Sequence, residues 1–274
     1  MKTLIVPDVH GNLDLLLKFL EATGATRDGK REPGWTIGSV GDLVNMGSYG
    51  VPYRGFLSDD LGCLELAETL PFDWICIGNH ELWYTHGLQA GVWNGMARMD
   101  QLHPDVMRVM GRLVRTGVYR VAEAVGEVLV SHAGVTGTVW EGQYWSGLQG
   151  NKAEPLANWL NEKFVEMVTR QTDIEEFPVF NWVGRSAGGT DPSGSIFWAR
   201  PQDFGQAPEM ELKQLVGHTP SKKNPTMVSE NVLCIDSGGY SHDQPFLTGM
   251  VYDSEWDVWW AVWYDSLRPH FLKY

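Results

Sequence analysis

Short apolar runs recur along the chain, and each breaks at a turn signal. Residues 3–6 form the first run, which gives way at Pro7 to Asp8-Val9-His10-Gly11-Asn12. Leu13, Leu16, Leu17 and Leu20 then recur at helical spacing until Gly24, with Asn12 placed to cap the helix. This reads as a buried strand, a loop and a helix. Residues 35–40 form a second strand, closed by Gly41-Asp42-Leu43-Val44-Asn45, and residues 60–70 form a helix stopped by Pro71. Residues 74–77 are a third strand ending in Gly78-Asn79-His80-Glu81. Strands alternating with helices are what parallel strands with helical crossovers require, so the class is α/β. Asp8 and His10 are two residues apart, and a strand continued through them would aim both at one point.

Further on the pattern loosens. Residues 82–96 are polar, aromatic and Gly-bearing, and residues 104–115 form a helix. Residues 119–121 and 127–130 predict a hairpin whose second strand ends in Ser131-His132-Ala133-Gly134. A helix over 153–171 lies within the least regular stretch, and residues 135–205 are expected to be a cap-like insertion over the site. Residues 215–216 lead into Gly217-His218-Thr219-Pro220, and residues 232–235 into Asp236-Ser237-Gly238-Gly239. At the end, residues 256–263 alternate as a strand heavy on both faces, paired with 247–252 across Asp253-Ser254-Glu255. Sheet packing accounts for its tryptophans better than a ligand cage.

Composition narrows the picture. With 274 residues and no Pro/Ser/Gly tract, charge block or repeat, one domain over 1–274 is expected. A net charge of −13 opposes an extensive nucleic-acid or anionic-membrane surface and leaves room for a local cationic pocket. Cys63, Cys76 and Cys234 lack paired spacing, and no run is long and apolar enough for a signal peptide or membrane span. A soluble, cytoplasmic protein with reduced cysteines is expected.

The strand ends carry the chemistry. Asp8, His10, Asp42, Asn79, His132 and His218 each follow an apolar run. A mixed carboxylate, imidazole and amide set suits manganese, iron or zinc rather than calcium. Any one of these histidines, taken alone, is an ordinary hydrogen-bonded imidazole, and a lone Asp-x-His-Gly is an ordinary turn. Two ions need about six such side chains if one carboxylate is shared, and the ordered set supplies them.

Asp8-x-His10-Gly11, Gly41-Asp42, Gly78-Asn79-His80-Glu81, His132-Ala133-Gly134 and Gly217-His218-Thr219-Pro220 together resemble the motifs of the calcineurin-like metallophosphoesterases. Glu81 and Pro220 point to the phosphoprotein phosphatase and diadenosine tetraphosphatase branch. The resemblance implies a four-layer fold, a two-sheet β-sandwich flanked by helices, and a centre of two divalent ions, manganese first, with iron or zinc as alternatives. It implies that Asp8, His10 and Asp42 hold one ion, and that Asp42, Asn79, His132 and His218 hold the other. A hydroxide shared by the ions would attack phosphorus, His80 would protonate the leaving group, and Asp236 would orient a ligand from behind. The partner implied is a phosphorylated protein or small molecule.

Two positions depart from the family pattern. Asn45 and Met46 stand where the family carries Asp and Arg, and Ile77 where phosphoprotein phosphatases commonly carry a further Arg. Asn45 can hydrogen-bond His80 but lends it no charge, and Met46 cannot clamp phosphate. Arg200, in Trp198-Ala199-Arg200-Pro201, resembles an arginine motif of the same branch and is the first choice for phosphate binding, ahead of Arg185 and Arg54. A metal-dependent phosphomonoesterase is expected. The alternatives are a phosphodiesterase, a dinucleoside polyphosphate hydrolase, and a non-catalytic, metal-stabilised binding scaffold.

Overall fold

The computed structural model describes residues 1–45, 52–53, 56–70, 72–85, 103–141, 152–170, 177–206, 210–220, 225–238, 246–264 and 269–273. Met46, Arg54 and residues 86–96, singled out above, lie outside the described residues, as does position 171 at the end of one expected helix.

Two sheets form the centre. The larger has seven strands in the order Pro269–Lys273, Val258–Tyr264, Leu247–Asp253, Lys2–Val6, Trp35–Ser39, Trp74–Cys76 and Tyr119–Arg120. Its last four run parallel, and the rest are antiparallel. The smaller sheet has five strands in the order Thr226–Ser229, Val232–Cys234, Gln214–Val216, Val128–Ser131 and Ala122–Val125. Ile5, Val40, Trp74 and Cys76 of the larger sheet meet Val125, Val130, Leu215 and Ile235 of the smaller in one apolar layer. Buried on both faces, these strands read as short continuous apolar runs, which is why the sequence displayed them so clearly.

Helices Leu13–Ala22, Asp60–Thr69 and Pro104–Arg115 cover the outer face of the larger sheet through Leu16, Phe19, Leu20, Cys63, Leu64, Val106, Val109 and Met110. Their starts follow the expected chemistry: Asn12, Asp59 and His103 each accept a backbone N–H of the first turn. Helix Ala153–Arg170 packs beside Ala122–Val125 and Val128–Ser131 of the smaller sheet. Helix, sheet, sheet, helix is the four-layer order that the resemblance implied.

The hairpin differs from expectation. Tyr119–Arg120 joins the larger sheet, and it is Ala122–Val125 that pairs with Val128–Ser131 across Gly126. The chain changes sheets at Val121, and Asn161 holds the crossing: its side-chain oxygen accepts the N–H groups of Val121 and Ala122, and its amide donates to Ala122. The C-terminal pair is as expected, except that Trp256 belongs to the turn. There, 72% exposed, it packs in no sheet. Residues 82–85, expected in a polar stretch, continue a helix that runs Asn79–Thr85. Cys63, Cys76 and Cys234 are buried and unbridged. Among the described residues, no helix is long and apolar enough to cross a membrane.

Candidate metal centre

The C-terminal ends of strands from both sheets converge on one point. Asp8, Asp42 and Asn79 follow strands of the larger sheet, and His132 and His218 follow strands of the smaller. The loops at residues 8–12 and 41–45 are joined by their backbones. Val9 and His10 donate to Asp42 O at 3.0 and 2.8 Å, and Gly11 donates to Leu43 O at 2.8 Å. His10 reaches the site through a left-handed backbone, φ 51°, rather than through strand alternation, because the strand ends at Val6. Asp42 (φ 50°) and His218 (φ 72°) are left-handed as well. Of the five non-glycine residues with positive φ among those described, three are in this set. Backbone held in so sparse a region marks loops fixed by their surroundings.

The two carboxylates are held alike. Asp8 Oδ1 accepts the backbone N–H of His218 and Asp42 Oδ1 that of His80, both at 3.0 Å. Asp42 turns its second oxygen toward the centre, and Asp8 Oδ1 lies 3.9 Å from His132 Nδ1. Asp8 Oδ2 is buried without a hydrogen-bond partner. Asp42 Oδ2 is the hub, 3.6 Å from His10 Nε2, 3.6 Å from His132 Nε2 and 3.8 Å from His80 Nε2. Glycines make the fit possible: a Cβ at Gly78 would strike Asp42 Oδ1, and one at Gly217 would strike Asp8 Oδ2.

His132 donates from Nδ1 to Val40 O at 3.1 Å, which leaves Nε2 a lone pair. That lone pair faces Asn79 Oδ1 at 2.9 Å and His218 Nδ1 at 3.2 Å, and His218 Nδ1 lies 2.9 Å from the same Asn79 oxygen. Two acceptors this close are satisfied by the N–H of His218 Nδ1 or, with that nitrogen also a lone pair, by a shared cation. Donors about 3 Å apart also suit an ion with bonds of about 2.0–2.2 Å.

Electrostatics point the same way. Burial, with Asp236 beside Asp8 and Glu81 beside Asp42, holds both carboxyls well above the ordinary carboxylate range. Burial depresses His132 strongly and brings His80 and His218 down to about 3, so the imidazoles are neutral. Buried acids crowded beside neutral imidazoles are what a site for multivalent cations looks like before charge is supplied. His10, Asp42 and His80 form one group of metal-competent atoms, and Asp8, Asp42 and His132 another, each within 4.8 Å.

Around this core, Asp236 is buried and accepts Gly238 N–H at 2.8 Å. Asn45 is buried too, and its side-chain nitrogen and His80 Nδ1 are both without a hydrogen-bond partner. Arg200 follows Trp198, whose ring stands edge-on to His218 at 5.9 Å. Its guanidinium is near enough to depress His218 further, and its Nε is buried without a partner. Arg185 is exposed on a short 3-10 turn.

Sequence reasoning assigned no task to Glu81. Fully buried, it clamps two loops: Oε2 accepts the N–H groups of Asp42 (2.8 Å) and Gly78 (2.9 Å), and Oε1 those of Leu43 (2.8 Å) and Val44 (3.3 Å). Asp60, equally unforeseen, accepts Asn45 N–H at 2.9 Å and the Ser58 and Tyr84 hydroxyls.

No family model and no curated protein sequence matches the chain. Among solved structures, the cold-active protein-tyrosine phosphatase of a psychrophilic Shewanella species superposes with a TM-score of 0.61 at 16% identity, over 95% of this chain and 77% of that one. The chain shares the fold of that phosphatase. A second structure described as a cold-active protein tyrosine phosphatase gives 0.60 at 14% identity, over 95% and 75% of the two chains. A metallophosphoesterase from Sphaerobacter thermophilus overlaps less closely, with a TM-score of 0.41 at 16% identity over 100% of this chain and 87% of that one. In this fold, the strand ends of both sheets carry the polar set described above.

Proposed function

We propose that the chain is a calcineurin-like metallophosphoesterase that hydrolyses phosphomonoesters of proteins or small molecules. The observation that carries this reading is the convergence of Asp8, His10, Asn79, His132 and His218 about Asp42, with an orphaned carboxylate oxygen and facing acceptor atoms that call for cations. Asp8, His10 and Asp42 would hold one divalent ion, and Asp42, Asn79, His132 and His218 the other, with manganese the first candidate. Bound there, such ions supply Lewis acidity to phosphoryl oxygens and a nucleophile from water at neutral pH.

The chain's own residues supply the rest. Arg200, whose Nε is buried without a partner and whose charge acts on His218, binds the phosphate, and Asp236 steadies the ligand set from behind. Arg185 is a weaker candidate, exposed as it is. His80 handles the leaving-group proton. Half-buried, with its pKa brought down to about 3 by desolvation, it holds no proton at neutral pH until a phosphoryl anion beside it favours the imidazolium. Asn45 contributes no charge to that balance. Asn45→Asp would raise the His80 pKa, so the descending, alkaline limb of the kcat/KM profile is expected to move to higher pH than in the parent. Coincident profiles would remove both residues from proton handling.

The Shewanella protein is a tyrosine phosphatase, which makes an aryl phosphomonoester the substrate class to try first. Metal-stripped protein resupplied with manganese is expected to hydrolyse p-nitrophenyl phosphate faster than bis-p-nitrophenyl phosphate. The reverse order would establish a diesterase, a reading favoured by Met46 and Ile77 standing where the family carries arginines. Turnover of neither, with metal bound, would leave a dinucleoside polyphosphate hydrolase or a scaffold, separated by assay on diadenosine tetraphosphate.

A further inference from the structure

We propose that Asp203 is a positioning residue for phosphate recognition: it fixes the backbone from which Arg200 reaches the metal centre. The inference rests on the phosphoesterase reading above. Asp203 lies in helix Pro201–Gln206, is 4% exposed, and accepts the N–H of Arg200 at 2.9 Å through Oδ2. An acid near a helix start that bonds back to the preceding residue is ordinary capping. Asp203 does more. The same Oδ2 accepts Gly194 N–H at 3.2 Å, and both oxygens accept the Ser186 hydroxyl at 2.8 and 2.9 Å. One buried carboxylate thus ties together the turn at 185–187, the loop at 194 and Arg200.

The tied segment touches the centre at two points. Ile196 O accepts the N–H of Ala133, next to His132, at 2.8 Å, and Trp198 stands edge-on to His218. Between them the loop is folded tightly, with Trp198 and Ala199 both donating to Ser195 O, and a Cβ on Gly194 would strike the Ala199 backbone. Arg200 leaves this knot two residues after Trp198, which meets His218, and its Nε is buried without a partner. An Arg side chain is long and rotamer-rich, so a fixed origin for its backbone is what converts it from a mobile charge into a directed donor.

The test compares Arg200→Ala, Asp203→Ala, Asp203→Asn and the Arg200→Ala/Asp203→Ala double variant as manganese-loaded full-length protein. KM and kcat for p-nitrophenyl phosphate and competitive inhibition by inorganic phosphate are measured for each. Asp203→Ala is expected to raise KM about tenfold, as Arg200→Ala does, with kcat within about threefold. The double variant is expected to match Arg200→Ala alone. Asp203→Asn retains an acceptor for Arg200 and Gly194 and is expected to stay within about twofold of the parent, which a role through charge would not allow. Should Asp203→Ala not fold, Asp203→Ser, too short to span Arg200 and Gly194, takes its place. An unchanged KM in Asp203→Ala, or additive losses in the double variant, would overturn the inference while leaving the phosphoesterase reading intact. A parent that neither hydrolyses the ester nor binds phosphate would end both.

Discussion

Asp42→Asn is expected to lower manganese-dependent hydrolysis of p-nitrophenyl phosphate about a thousandfold or more. The substitution keeps the shape of the side chain and its acceptor for His80 N–H, and removes the charge from the atom on which His10, His80 and His132 converge. Loss of a partner outside the ligand shell already costs about 10–100-fold in metal affinity or activity, and a shared ligand costs more. The variant should lose manganese on dialysis while its far-ultraviolet circular dichroism stays that of the parent. Full turnover with both ions retained would show that Asp42 is not the bridge.

The second large effect falls on stability. Glu81→Ala is expected to destabilise the protein by about 3–5 kcal/mol, measured as a lower urea midpoint. Its carboxylate receives the N–H groups of Asp42, Leu43, Val44 and Gly78, and removal leaves these donors buried and unmatched. Burial raises Glu81 to about 7 even with those donors in place, so the carboxylate sits there at a cost that the four bonds offset. Because the clamp joins the Asp42 loop to the Asn79 loop, metal affinity should fall together with stability. A midpoint unchanged by the substitution would mean that water or another side chain takes over the four amides.

The convergence of this polar set was legible because most of its members follow an apolar run, and Asn79 and His218 also stand beside glycines that the structure needs, Gly78 and Gly217. The clamps were not legible. Glu81, Asp60 and Asp203 act on backbone N–H groups, which nearly every residue carries, so no spacing of side chains announces their partners. The hairpin was misplaced for a related reason. The change of sheet at Val121 is fixed by Asn161, a side chain from a helix about forty positions further along, and local alternation carries no trace of it. His10 shows the limit of periodicity at the site itself. Its place beside Asp42 depends on a left-handed backbone and on sharing Asp42 O with Val9, not on a strand continued past Val6.

Asp8 and His218 are joined by a hydrogen bond, and each comes from a different sheet. The centre therefore cannot exist until residues from the start of the chain and from near its end have met and the sandwich has closed at that end. Cations arriving late in folding would act as a latch between the layers. Chelation should then speed hydrogen exchange first in the strands leading to His132 and His218, while the helix-covered outer face of the larger sheet exchanges as slowly as before.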